Sequence, residues 1–349
     1  SIAMPRCWPK TRHASHAAIS RGGLIGRQQH LVGELLKMRY DYIDELGSGS
    51  FGKVNLVREK NTGLLRVIKT VDTAKLSQRL LDNMREEIQV LRALDHPNII
   101  RLFEYGEDVE NQKIHLLMER CSGGDLDELL ERAGHFGEEL VALLMRQVLS
   151  GIAFCHTHGV VHRDLKPGNV MLTNSYFRKA EPVYFTGTCY PFVRECIEEN
   201  SNFDCKIIDF GLAKTFDPTD PNGGITDVNG TPAYMAPEIC MRQGTYGAPS
   251  DVWSVGIMSY ELFTGNLPFG DASDYEGGFR DLFEITKKYQ DMESFWSLMP
   301  EEHWKVARRR WTNCGTGPRD FVAHLLVRDP QTRFSAEKAL QHPWLESYK

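Results

Sequence analysis

Eight consecutive residues place an acid, an amine and an amide within reach of one another: His162-Arg163-Asp164-Leu165-Lys166-Pro167-Gly168-Asn169. Phosphoryl transfer from a nucleotide needs a carboxylate for the acceptor hydroxyl's proton, a cation beside the moving group and an oxygen ligand for a metal. Asp164, Lys166 and Asn169 have those chemistries. The same residues would also suit a polar turn before a strand, since Pro-Gly is turn chemistry. The surrounding elements decide between the two.

A second group could hold phosphates. Leu46-Gly47-Ser48-Gly49-Ser50-Phe51-Gly52-Lys53-Val54 contains a G-x-G-x-x-G-x-V run, in which glycines let backbone N–H groups approach phosphate oxygens. The dinucleotide fingerprint uses the same glycines but is followed by a helix. Here alternating apolar residues follow and lead to Arg66-Val67-Ile68-Lys69, a strand. In the next helix, expected over Leu80–Leu94, Met84, Glu87, Ile88 and Leu91 share one face. A carboxylate on an apolar stripe needs a partner. Lys69 is the natural one for Glu87, and Glu86 lies off the stripe.

Downstream, Asp209-Phe210-Gly211 follows the apolar strand Lys206-Ile207-Ile208. Further on come Gly230-Thr231-Pro232-Ala233-Tyr234-Met235-Ala236-Pro237-Glu238 and Asp251-Val252-Trp253-Ser254-Val255-Gly256. The last opens a helix apolar on nearly all sides, hence a core helix, which Asp251 could cap.

Taken together and in this order, residues from about Tyr40 to Trp344 resemble a Ser/Thr protein kinase domain. Among kinases the chain is similar to the calcium/calmodulin-dependent group, and especially to calcium-dependent protein kinases. Arg66–Thr70, Leu94-Asp95-His96-Pro97-Asn98-Ile99-Ile100 and Gln341-His342-Pro343-Trp344 carry that nearer likeness. The resemblance implies an α+β fold of two lobes, a small strand-rich one with a single helix and a large, mainly helical one. It implies ATP with Mg²⁺ (or Mn²⁺) as cofactors. Asp164, Lys166, Asn169, Lys69 and Glu87 would be catalytic, with the metal on Asn169 and Asp209. Leu46, Gly47, Ser48, Gly49, Ser50, Phe51, Gly52, Val54, Val67, Lys69, Met118, Glu119, Cys121, Asp125, Met171 and Asp209 would bind the nucleotide. Val67 stands where relatives carry Ala, Met118 would be the gatekeeper, Thr231 would brace the catalytic loop, and Glu238 would pair with Arg333.

Within this frame the expected organisation is a basic extension over 1–39, partly disordered with a short helix near Leu31–Met38, then a small lobe over 40–119. A hinge over 120–123 and a large lobe over 124–349 follow. Strands are expected at Ile99–Tyr105 and Ile114–Glu119. Helices are expected at Asp125–Ala133, Glu138–His158, Ser250–Thr264, Gly278–Gln290, Pro318–Val327 and Ala336–His342. An insert falls near 173–203, rich in aromatics (Tyr176, Phe177, Tyr184, Phe185, Tyr190, Phe192), and an expansion near 294–314 contains Arg308-Arg309-Arg310. The insert could dock a partner. The arginine run reads as solvated charge or a docking patch.

Composition bounds the rest. The 349 residues are 25% charged and 41% apolar, ordinary for a globular protein large enough for two lobes. Residues 1–40 carry seven Lys or Arg and one acid, so they hold +6; with a net charge of −6, the remainder holds −12. An acidic body suits basic protein substrates and argues against nucleic acid. Eight cysteines without a C-x-x-C pair indicate neither a disulfide scaffold nor a zinc site, and point to a reducing, intracellular and cytoplasmic setting. No apolar run of membrane-spanning length is evident. A monomer is expected. No calcium site is expected in this chain, since 217–223 lacks EF-hand ligand spacing.

Two departures bear on control and specificity. Relatives often carry a phosphothreonine three residues before the Gly of Gly-Thr-Pro, where this chain has Asp227, beside Thr226. Asp227 could pair with Arg163 without phosphorylation. Basophilic relatives read substrate arginines with acids near the hinge, in the catalytic loop and on the core helix. Asp125 and Glu261 match the first and last, but Gly168 replaces the middle one. A basic preference is therefore expected to be stronger three residues before the acceptor than two. A pseudokinase scaffold acting through the inserts, or a small-molecule phosphotransferase, are the competing functions.

Overall fold

A computed structural model describes residues 33–49, 52–175, 204–216, 224–241, 245–291 and 301–348. A short helix α1 (Gly33–Arg39) leads into β1 (Tyr40–Gly49), β2 (Gly52–Glu59) and β3 (Leu65–Asp72). Gly63, at φ 73°, makes the turn between β2 and β3. Helix α2 (Gln78–Ala93) follows, with Ser77 capping its start by accepting from the Leu80 N–H. β4 (Leu102–Asp108) and β5 (Lys113–Met118) complete an antiparallel sheet ordered β1-β2-β3-β5-β4.

The first of these two strands starts three residues later than its apolar pattern indicates. Residues 98–100 are held by the large lobe instead: Ile100 N–H donates to Ile207 C=O and Ile207 N–H donates to Asn98 C=O, each at 2.9 Å. Their backbone groups are satisfied there rather than in the sheet.

The large lobe is built on α3 (Leu126–Ala133) and α4 (Glu138–Thr157), then the short strands β6 (Val160–Val161), β7 (Val170–Leu172), β8 (Cys205–Ile207) and β9 (Lys214–Thr215). β6 pairs with β9, and β7 with β8. Helices α5 (Pro237–Cys240), α6 (Ala248–Thr264), α7 (Phe279–Lys288), α8 (Glu301–Asn313), α9 (Thr316–Leu325), α10 (Ala336–Leu340) and α11 (Pro343–Glu346) follow. By length and composition α4 could cross a membrane, with an 18-residue window of mean hydropathy 1.4, but most of that window is buried inside the protein. Its apolarity has another cause: with α6 it forms the centre of the lobe, and Leu144, Met145, Val148, Leu149 and Ile152 are buried.

α6 begins at Ala248 with Gly247 at its cap position, so Asp251 lies inside the first turn and does not cap it. The last predicted helix ends early, at Leu340, because His342 starts a new one by accepting from the Trp344 N–H. The arginine run lies on α8 and is not simply solvated. Arg310 donates to the Gly134 C=O at 3.0 Å and the Thr264 C=O at 2.6 Å. Those carbonyls belong to the ends of α3 and α6, where a cation is favourable. The aromatics of the insert lie outside the described residues, as do Ser50, Phe51 and 217–223.

Candidate active site

The loop between β6 and β7 carries His162 to Asn169, and a buried acid holds it in place. Asp251 Oδ2 accepts from His162 N–H and Oδ1 from Arg163 N–H, both at 2.9 Å. His156, at the end of α4, lies 2.9 Å from Oδ2. Burial pushes the Asp251 carboxyl up, but His156 and the loop N–H groups outweigh it and hold it below the usual carboxylate range. Arg163 is thereby kept at φ 70°, a left-handed conformation that a non-glycine residue holds only when its surroundings fix it.

This backbone points Asp164 at a ring of donors. Its Oδ1 accepts from the Thr231 N–H at 2.8 Å and the Thr231 hydroxyl at 2.6 Å. Its Oδ2 accepts from Asn169 Nδ2 at 2.9 Å and lies 3.1 Å from Lys166 Nζ. Lys166 also donates to the Thr231 hydroxyl at 2.7 Å. A residue in the segment before α5 therefore cross-braces the acid and the amine of the loop.

On the other lobe, strand register decides which side chains meet. Val54 pairs with Lys69, Lys69 with Leu116, and Val67 with Met118. Paired residues share a face, so Val54, Val67, Lys69 and Met118 line one side of the sheet. Leu46 sits in a β-bulge of β1 and stays 51% exposed. Lys69 Nζ lies 3.8 Å from Glu87 Oε1. Glu87 is buried and Glu86 is exposed, as the helical stripe predicts. Burial pushes the Glu87 carboxyl up; Lys69 opposes that and Asp209 adds to it.

Two glycines of the loop do different jobs. Space is open around Gly47, whereas a Cβ at Gly52 would overlap the Thr70 carbonyl on β3. Close strand approach therefore requires Gly52, independently of any phosphate.

The segment after β5 leaves two backbone groups open. Ser122 N–H and Gly123 N–H donate to Thr173 and Leu172 carbonyls, and the Glu119 side chain accepts from Arg101 N–H at 2.6 Å. The Glu119 C=O and Cys121 N–H have no partner among the described residues. Burial pushes the Cys121 thiol up to about 12, so it is an inert wall rather than a nucleophile. Met171 faces Asp125 across an isolated bridge. Asp125 caps α3 by accepting from the Glu128 N–H at 2.8 Å, which occupies one of its oxygens.

The metal-type ligands also fit. Asn169 spends its NH₂ on Asp164, so its Oδ1 faces away as a free oxygen donor. Asp209, at φ 60°, accepts only from Gly211 N–H and has no cationic partner among the described residues. Two hard oxygen donors and the open backbone groups after β5 suit Mg²⁺ and a purine nucleotide.

Asp227 accepts from Arg163 Nη1 at 2.8 Å, lies 3.3 Å from Lys214 Nζ and also accepts from the Asn229 amide. Burial pushes its carboxyl up, but Arg163 and Lys214 outweigh that and leave it low. Gly230, at φ 120°, passes so close to the loop between β6 and β7 that a Cβ would overlap the Arg163 carbonyl oxygen. Glu238 takes a two-pronged contact from Arg333, at 2.8 and 3.0 Å, and the Arg333 side chain is fully buried.

Sequence reasoning missed His156 and Tyr246, whose hydroxyl donates to the Asp227 C=O at 2.6 Å. It also missed Tyr234, which donates to Glu261 at 2.6 Å, and Asp127 on α3. Each of these contacts is distant in sequence and leaves no local pattern.

Residues 40–345 match a family model described as protein kinase domain. Over 312 residues the chain is 35% identical to calcium/calmodulin-dependent protein kinase type 1 of Caenorhabditis briggsae, covering 89% of this chain and 73% of that protein. It is 32% identical over 348 residues to calcium-dependent protein kinase 8 of Oryza sativa subsp. japonica (98% and 56%). It is 31% identical over 345 residues to CDPK-related kinase 5 of Arabidopsis thaliana (97% and 49%). The chain thus spans about half the length of these two plant relatives.

Proposed function

Since this chain belongs to the protein kinase domain family, we propose that it transfers the γ-phosphate of ATP to Ser and Thr hydroxyls of proteins with basic residues before the acceptor. The observation that supports this reading is the closed set Asp164, Lys166, Asn169 and Thr231, with all four side chains bonded to one another or to the loop. Relatives of the chain are named as calcium/calmodulin-dependent and calcium-dependent protein kinases. We take 40–119 as the small lobe, 120–123 as the hinge and 124–349 as the large lobe, with the nucleotide between them.

The chain's own groups divide the work. Lys69, steadied by Glu87, supplies an ammonium for phosphate oxygens. Val67, Met118, Leu46 and Val54 supply an apolar slot, and the Glu119 C=O and Cys121 N–H supply the polar edge. Asn169 Oδ1 and Asp209 would hold Mg²⁺, which when bound neutralises charge on the phosphates. Asp164 orients the acceptor hydroxyl and takes its proton, while Lys166, fixed on Thr231, sets a positive charge beside it.

Incubation with Mg²⁺, labelled ATP and a basic peptide, followed by phosphoamino-acid analysis, tests this. Phosphoserine or phosphothreonine that disappears in Asp164→Asn supports the reading. Absence of turnover in the wild type would instead favour a scaffold role.

A further inference from the structure

Gly168 leaves the catalytic loop without a side chain where basophilic kinases carry an acid. The structure puts another acid there. α3 packs against the turn Pro167–Asn169. A Cβ built on Gly168 would lie 3.9 Å from the Asp127 Cβ and 4.0 Å from Asp127 Oδ2. The Asp127 carboxylate therefore stands within the volume that a longer acidic side chain on residue 168 would reach.

Asp127 is not required as the helix cap, because Asp125 fills that position. It makes no hydrogen bond or ion pair with any described residue. Asp127, itself exposed, is close enough to Glu261 of α6 to raise the proton affinity of that carboxylate, although burial is the larger cause there. Glu261 is only 8% exposed, and its single hydrogen bond comes from the Tyr234 hydroxyl at 2.6 Å. Its other oxygen has no donor among the described residues. Lys166, whose charge acts on Asp127, is already committed to Thr231 and Asp164. A buried carboxylate with an unsatisfied oxygen and a second acid beside it is costly unless a cation joins them. A guanidinium, with five donors in a planar fork, can bridge two carboxylates where an ammonium satisfies one.

We propose that Asp127 and Glu261 together bind the arginine two residues before the phosphoacceptor, so that α3 supplies the carboxylate missing at Gly168. Selection at that position, expected to be weak from the loop alone, is thereby strengthened. This inference rests on the reading of the chain as an active kinase for basic peptides. It adds a specificity-determining residue that the loop motif does not contain.

The test uses two peptides identical except for Arg or Ala two residues before the serine, both with Arg three residues before it. For the wild type, kcat/KM should favour the Arg peptide about tenfold, the size of one charged hydrogen-bonded contact. In Asp127→Asn the ratio should fall to about two, mostly through KM, with selection three residues before the acceptor retained. Adding Gly168→Glu to Asp127→Asn should restore the ratio, which repair of a merely structural defect would not do. A ratio near one in the wild type, or an unchanged ratio in Asp127→Asn, overturns this inference alone. No phosphorylation of either peptide by the wild type overturns the kinase reading and the inference with it.

Discussion

The hydroxyl of Thr231 donates to Asp164 at 2.6 Å and accepts from Lys166 at 2.7 Å. One side chain from the segment before α5 thus fixes both the acid and the amine of the catalytic loop. Thr231→Val keeps the shape and removes both bonds. We expect kcat to fall about a hundredfold with KM for ATP little changed, because misplacing reacting groups by an ångström costs on that order. Thr231→Ser should stay within a few-fold of wild type. Steady-state kinetics on the two variants decides it, and equal losses in both would refute the bracing role.

Asp227 predicts constitutive readiness. Its carboxyl is held low by Arg163 and Lys214, so the pair is present above the ordinary carboxylate pKa and is lost only as pH falls through the depressed value. Phosphatase-treated protein should therefore keep its activity from about pH 5 to 8. Asp227→Ala should lower it. Full inactivation of the wild type by phosphatase would show instead that a phosphate is the operative anion, with neighbouring Thr226 the first residue to map.

Glu87→Gln keeps the shape of α2 and weakens the 3.8 Å contact with Lys69. The variant should fold, with a far-ultraviolet spectrum like that of the wild type. We expect kcat/KM for ATP to drop about ten- to a hundredfold, since Lys69, proposed to hold the phosphates, loses its anchor. Near-wild-type turnover would sink the assignment.

Glu261 makes a prediction about stability. Burial pushes its carboxyl up to about 7. A raised folded pKa means that the folded state binds the extra proton. The group's contribution is thus full below about pH 4.5 and declines as pH rises to about 7. Glu261→Gln should accordingly be more stable than wild type at about pH 8, by at most about 3 kcal/mol, and gain little near pH 5. Thermal melts at the two pH values check the sign. A buried acid kept at a stability cost fits a site that awaits a cation.

Arg333 gives the largest structural prediction. Its side chain is fully buried and reaches Glu238 together with the carbonyls of Pro249, Val327 and Arg328. Arg333→Ala leaves a buried carboxylate and three carbonyls without their donor. We expect a loss of about 3–5 kcal/mol, visible as a lower melting temperature before any change in peptide selectivity.

Much of this site is written in short, local strings. Asp164, Lys166 and Asn169 lie within six positions, and Glu87 announces itself by sitting on an apolar stripe where a charge needs a reason. Glu238–Arg333 and Arg163–Asp227 were legible only through the resemblance to kinases, and the geometry bears out both pairs. What the sequence hid is packing between distant elements. The start of β4 depends on which lobe takes the backbone groups of residues 98–100. Arg310 looks like one of three surface charges until α3 and α6 end beside it. Asp127 looks like a routine acid in the first turn of a helix until the turn at Gly168 is laid against it. Gly52 belongs to a phosphate motif, yet its immediate demand is steric, from the Thr70 carbonyl.

Gly230 and Arg163 touch backbone to backbone, with no room between them for even one methyl group. The two segments therefore behave as a single mechanical part: what shifts one must shift the other. Gly230→Ala becomes a tool, one carbon that should uncouple the catalytic loop while leaving the nucleotide face of the small lobe untouched.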